Sequence, residues 1–204
     1  GKLRVFTGPM FGGKTEELGS RVNKERKRRG ERVGVFVWEE NNRYGHTGIT
    51  TNNGDPIEEV IPVGKGKDIL DYINDNPNIT SIFWDEVQFI KDSYETVSEL
   101  LKLGKSVYVF GLAAGYNRSG FLNFPDLMCL ANKVYVSEAI CKECYAPATE
   151  SQRVELLSSA SELGNNDETS SDFVKVGGSD TYQASCLDCW VGDETSKIKY
   201  EFDR

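Results

Sequence analysis

The sequence predicts an α/β fold, a parallel sheet with helices on both faces, followed by a small second domain. Three observations carry this reading. Short apolar runs alternate with helical patterns through the first two thirds of the chain. A glycine-rich motif stands between the first run and the first helical pattern. After residue 136 the alternation stops, and paired cysteines take over.

Residues 3–6 (LRVF) form the first expected strand, and residues 14–29 carry a charged helical pattern. Residues 33–37 (VGVFV) suit a strand buried on both faces. A polar loop follows, NNRYGHTGITTNNGDP. The spacing predicts a helix over 67–75 (KDILDYIND), stopped by Pro77. Residues 79–84 (ITSIFW) and 107–110 (VYVF) read as the third and fourth strands, with a helix over 91–103 between them. Residues 133–136 supply a fifth strand. The division that follows is a nucleotide-binding α/β domain over 1–138 and a small metal-binding domain over 139–204. The second contains SSASELGNNDETSSD, whose composition cannot build a core and predicts a mobile loop.

With 204 residues and 38% hydrophobic composition, the chain can bury a substantial core. A net charge of −8 argues against nucleic acid or an anionic membrane as the main partner. The basic run RVNKERKRRGER has no interleaved aromatics and reads as a solvated helix face. No apolar run approaches the roughly 18 residues of a membrane span. No secretory h-region opens the given sequence, so a soluble, cytoplasmic protein is expected. The single His46, in the loop YGHTG, reads as an ordinary surface residue, which sets aside histidine-based acid–base chemistry.

GPMFGGKT fits the phosphate-loop pattern G-x-x-x-x-G-K-[ST], between a strand and a helix as the motif requires. Backbone amides of Gly8, Pro9, Met10, Phe11, Gly12 and Gly13 form the expected cradle, apart from the proline, which has no N–H. Lys14 would reach the β- and γ-phosphates of ATP, and the Thr15 hydroxyl would ligate Mg²⁺. The next chemical signal is WDEVQF. Asp85 and Glu86 close an apolar run, at the sheet edge where ligands bind. One carboxylate, Asp85, can hold Mg²⁺. The other, Glu86, can take a proton from an attacking hydroxyl or water.

Five cysteines and no secretion signal argue against a disulfide scaffold. Cys129, in DLMCLA, reads as a small buried core residue. Cys141 with Cys144 and Cys186 with Cys189 form two C-x-x-C pairs, a usual tetrahedral Zn²⁺ set. Redox-active or simply reduced cysteines are the alternative. No nearby histidine completes a reactive site, so the metal reads as structural.

GPMFGGKTEEL, DEVQF, GLAAGYNRSGF, CKEC and VGGSDTYQASCLDC occur together in this order, which resembles the type II thymidine kinases. The likeness spans nearly the whole chain. It implies a RecA-like nucleotide domain and a zinc domain whose long lasso loop covers the nucleoside. It also implies γ-phosphate transfer from ATP to the 5′-hydroxyl of thymidine or deoxyuridine, a homotetramer (or a dimer), and inhibition by dTTP. Among the residues, the resemblance makes Glu86 the general base and Asp85 the residue that positions Mg²⁺. Arg43 and Gln88 join the ATP and phosphate group. Met10, Phe89, Leu112, Tyr116, Phe121 and Ser151 line the nucleoside pocket, with Lys175, Val176, Gly177 and Tyr182 closing over it from the loop.

The family often reads GLDGTFQRKPF where this chain has GLAAGYNRSGF. Ala113 replaces an acidic residue, Ser119 and Gly120 replace Lys-Pro, and Tyr116 adds a hydroxyl to a pocket wall. A deoxynucleoside kinase with altered base preference therefore stays open. So does a RecA-like ATPase in which Glu86 activates water, against which the acidic charge counts.

Overall fold

The computed structural model describes residues 1–30, 32–39, 49–50, 56–154 and 181–190. These residues form two compact units. One comprises the described residues of Gly1–Gly8, Gly13–Ala113 and Gly120–Ser137, and the other comprises Pro9–Gly12, Ala114–Ser119 and the described residues of Glu138–Arg204.

In the first unit, β1 (Lys2–Thr7) leads through the glycine-rich loop into α1 (Lys14–Arg29) and then β2 (Val33–Trp38). A short antiparallel pair, β3 (Ile49–Thr50) and β4 (Pro56–Ile57), precedes β5 (Val60–Val63). Next come α2 (Gly66–Asp75), β6 (Ser81–Asp85), α3 (Ser93–Lys102) and β7 (Ser106–Phe110). The unit closes with α4 (Phe124–Leu130) and β8 (Lys133–Val136). Six strands make one sheet in the order β5-β2-β6-β7-β1-β8, every pair parallel.

Side chains of a strand alternate between faces, and the two cores follow that alternation. Leu3, Val5, Phe36, Ile82, Trp84, Val107 and Val109 pack on one face with Ile69 and Ile73 of α2, Val97 and Leu100 of α3, and Phe124 and Leu127 of α4. Phe6, Val35, Val37, Phe83, Tyr108 and Phe110 pack on the other with Leu18 and Val22 of α1. Both faces of the sheet are therefore covered, as the expected α/β class requires.

β5 has no counterpart among the strands expected from the sequence. Its residues, VIPV, include Pro62, which cannot donate a ladder bond and lowers strand signal. The structure tolerates it because β5 lies at the sheet edge, with one side unpaired in the sheet. Cys129 is a correction: it is exposed, not part of the core. Phe124 and Leu127 define the buried face of α4. Cys129 comes two residues after Leu127, about 200° around the helix and so on its outer side. The basic run is solvent-facing at Lys24, Lys27, Arg28 and Arg29, whereas Val22 and Glu25 are buried and Arg21 and Arg26 half-buried. Arg21 lies over the rings of Phe6 and Tyr135, at 4.5 and 4.9 Å. Glu25 is buried and pairs with Arg28 and Arg29, each at 2.9 Å.

In the second unit, β9 (Ala139–Ile140) pairs antiparallel with β10 (Pro147–Ala148), and β11 (Glu150–Arg153) with β12 (Tyr182–Ser185). Among its described residues, the buried apolar cluster is Ala139, Cys141, Ala148, Ala184 and Cys186, joined by half-buried Cys189. No helix among the described residues is long and apolar enough to cross a membrane.

Candidate active site

The phosphate loop starts where β1 ends. Gly8 has φ 145°, and a Cβ there would stand 2.3 Å from Ser137 Oγ and 2.5 Å from the Ser137 carbonyl oxygen, so only glycine fits. Ser137 approaches this closely because its N–H and hydroxyl both donate to the Thr7 carbonyl, at 2.8 and 3.2 Å. Within the loop, the Gly12 N–H donates to the Pro9 carbonyl at 3.2 Å. Gly13 takes a left-handed conformation at the N-cap of α1 and brings no capping side chain. The first-turn amides and the helix dipole thus suit an anion. Lys14 Nζ folds back over the loop and donates to the Gly8 carbonyl at 3.1 Å, with Thr15 beside it at the helix start.

The acidic pair stands at the C-terminal end of β6. β7 lies between β1 and β6, so the strand that leads into the phosphate loop and the strand that ends in the acids stand about 10 Å apart. Asp85 is buried, and its Oδ1 accepts the Glu86 N–H at 3.0 Å. Glu86 itself has left-handed backbone, φ 52° and ψ 36°. That conformation costs a non-glycine residue roughly 1–2 kcal/mol, a strain typical of functional positions. It turns the chain into a short 3₁₀ segment, Val87–Phe89. Gln88, fully buried on that turn, donates from Nε2 to Glu86 Oε2 at 2.6 Å and accepts the Leu112 N–H on Oε1 at 3.3 Å. Its amide is thus engaged by protein groups on both sides. Phe89 stacks on Trp38 (4.3 Å between centroids) and meets Phe121 edge-on at 5.6 Å.

The second unit holds the metal candidates. The Sγ atoms of Cys141, Cys144, Cys186 and Cys189 all lie within 4.8 Å of one another. Tetrahedral zinc, with Zn–S near 2.3 Å, sets sulfurs about 3.8 Å apart. The Cys144–Cys186 separation is 3.5 Å, too long for a disulfide and close to that value. All four are free thiols. Backbone N–H groups, that of Cys144 first and then Cys186, bring the pKa of Cys141 down to about 6. The neighbouring Cys186 thiol pushes that of Cys189 up to about 12. A dication is what would let four crowded sulfurs share one charge state, so the donor set fits zinc.

Other expected residues of this unit meet one another. The Met10 N–H, at the tip of the phosphate loop, donates to Ser151 Oγ on β11 at 3.0 Å. The Arg153 guanidinium lies 5.7 Å from the Tyr116 ring centroid. Tyr182 is buried at the start of β12, paired in register with Arg153. Arg118 bridges Glu150 at 3.2 Å and lies over Trp190 at 5.4 Å.

Arg43, His46, Lys175, Val176 and Gly177 lie outside the described residues, as does the polar stretch 158–172. Two participants have no motif to announce them, Trp38 behind Phe89 and Ser137 against Gly8, and Gly111, which opens GLAAGYNRSGF, is a third whose packing role the motif does not declare. At Gly111 a Cβ would come 2.1 Å from Gln88 Oε1 and 2.7 Å from the Phe124 ring. A glycine directly after the apolar run VYVF is the available signal for the last of these. Phosphate loop, strand-end acid pair and four-cysteine cluster thus occur in one chain, and a family model described as Thymidine kinase matches residues 1–190. The chain belongs to the thymidine kinase family, whose members are ATP-dependent nucleoside kinases.

Proposed function

We propose that the chain transfers the γ-phosphate of ATP to the 5′-hydroxyl of thymidine, and also of deoxyuridine, giving dTMP from thymidine. The observation that carries this is the placement of Glu86. It is held at the end of β6, with one strand between β6 and the strand that leads into the phosphate loop. In the step proposed, the 5′-oxygen attacks the γ-phosphorus while its proton passes to the Glu86 carboxylate. The bond from γ-phosphorus to the bridging oxygen breaks, and ADP leaves. Lys14 and the loop amides hold and neutralise the phosphates.

Thr15 and Asp85 would hold Mg²⁺. A hydroxyl at a helix start and a buried carboxylate at a strand end are hard oxygen donors of the type this ion takes. Bound there, the ion would neutralise charge on the β- and γ-phosphates. Arg43 is proposed for the phosphates. Phe89, Leu112 and Phe121, with Met10, Tyr116, Ser151, Lys175, Val176, Gly177 and Tyr182, are proposed for the nucleoside. The division into a nucleotide domain over 1–138 and a zinc domain over 139–204 belongs to the same reading. So do a cytoplasmic location and, from the resemblance, the homotetramer and dTTP inhibition.

Glu86→Gln tests the reading. The variant should bind thymidine with near-normal affinity and lose most of its turnover, on the order of 100-fold or more. Near-normal kcat would remove Glu86 from the base role.

A further inference from the structure

A general base must present its carboxylate in one orientation, and the backbone of Glu86 does little to fix it. The residue is at a left-handed bend, just past the end of its strand. Gln88 holds one of its oxygens, donating from Nε2 to Oε2 at 2.6 Å. We infer that Gln88 is a positioning residue, whose buried amide clamps the Glu86 carboxylate and keys it to the end of β7. This role rests on Glu86 being the base.

The chemistry of the two partners dictates the amide's orientation. A backbone N–H can only donate, so the Leu112 N–H takes Gln88 Oε1. That leaves the amide NH₂ for an ionised carboxylate, which can only accept, and Nε2 meets Glu86 Oε2 at 2.6 Å. The bridge is enclosed: Gln88 is fully buried, and Gly111 lets its Oε1 come where a Cβ would stand only 2.1 Å away. It also continues to the phosphate side. The residue after Leu112, Ala113, donates its N–H to Thr7 Oγ1 at 3.0 Å, and Thr7 ends β1 just before Gly8. The base carboxylate is therefore referenced, through one glutamine, to the strand that carries the phosphate loop.

Glutamine is the side chain that meets both demands. Asparagine is one methylene too short to reach both partners. Glutamate would set a second carboxylate against Glu86, and methionine has the length but no donor.

A double-mutant cycle tests the assignment, reading kcat and the KM values for ATP and thymidine in the wild type, Gln88→Met, Glu86→Gln and the double variant. Gln88→Met should lower kcat about 10- to 100-fold, the range expected for a misplaced catalytic group. The KM for ATP should stay within about twofold. In the Glu86→Gln background, adding Gln88→Met should lower residual turnover no further. Three outcomes would overturn the role: unchanged kcat in Gln88→Met, a raised KM for ATP with kcat intact, or losses that multiply in the double variant. The second would make Gln88 a phosphate contact. Should Gln88→Met fail to fold, Gln88→Asn keeps the amide and is expected to show the same loss in kcat with unchanged KM; wild-type kcat in that variant overturns the role equally. High turnover in Glu86→Gln alone would instead bring down the base reading, whatever Gln88 does.

Discussion

Ser151 Oγ on β11 accepts the backbone N–H of Met10 at the tip of the phosphate loop, 3.0 Å away. Ser151 is paired in register with Ala184 of β12, two residues before Cys186. The tip of the loop is thus bonded to the strand pair that the cysteine cluster anchors. Ser151→Ala removes the acceptor, and a net hydrogen bond is worth about 0.5–1.5 kcal/mol. The KM for ATP should rise about two- to tenfold, and Ser151→Thr, which keeps the hydroxyl, should restore it. Steady-state kinetics at varied ATP check this; a wild-type KM in Ser151→Ala would contradict it.

The ring of Phe89 stacks on Trp38 and meets Phe121 edge-on. Phe89→Ala removes both contacts. If Phe89 and Phe121 line the nucleoside pocket, the KM for thymidine should rise about tenfold or more while the KM for ATP changes little. Separate titrations of the two substrates distinguish this from a general loss of packing, which would depress kcat and thermal stability without that selectivity.

The four cysteine sulfurs gather within 4.8 Å of one another beside the small apolar cluster that the described residues of the second unit form. Elemental analysis of the purified protein should find about one zinc per chain, and a strong chelator should lower its thermal stability. Cys144→Ser should bind zinc more weakly and melt earlier. A fully stable, active protein with no bound metal would show that the four thiols act without one.

Much of this architecture is legible in the residues. Apolar runs of four to six residues mark five of the six sheet strands, and the most apolar of them, β2 and β6, lie inside the sheet with both faces covered, whereas β8 is an exposed edge strand. The helix over 14–29 is bounded by Gly13 and Gly30, which punctuate both its ends. β5 is hidden because a proline at a sheet edge looks the same in sequence as a proline in a loop. Cys129 reads as core and proves exposed because α4 is only seven residues long, too short for its apolar stripe to declare a face. In the site, the motifs name residues but not their geometry. Nothing in WDEVQF announces the left-handed backbone of Glu86, and the bridge from Gln88 to Leu112 joins groups far apart in the chain. Local pattern carries no record of such contacts. The cysteine pairs are readable as a metal set because two C-x-x-C turns restrict what the thiols can do.

The central claim is that phosphoryl transfer from ATP depends on a nucleoside acceptor. The direct measurement is the rate of ADP formation with Mg²⁺ and ATP, in the presence and absence of thymidine, alongside dTMP formation. ADP release should require thymidine and match dTMP one for one. ADP formed equally fast without any nucleoside would contradict the account and leave a water-activating ATPase.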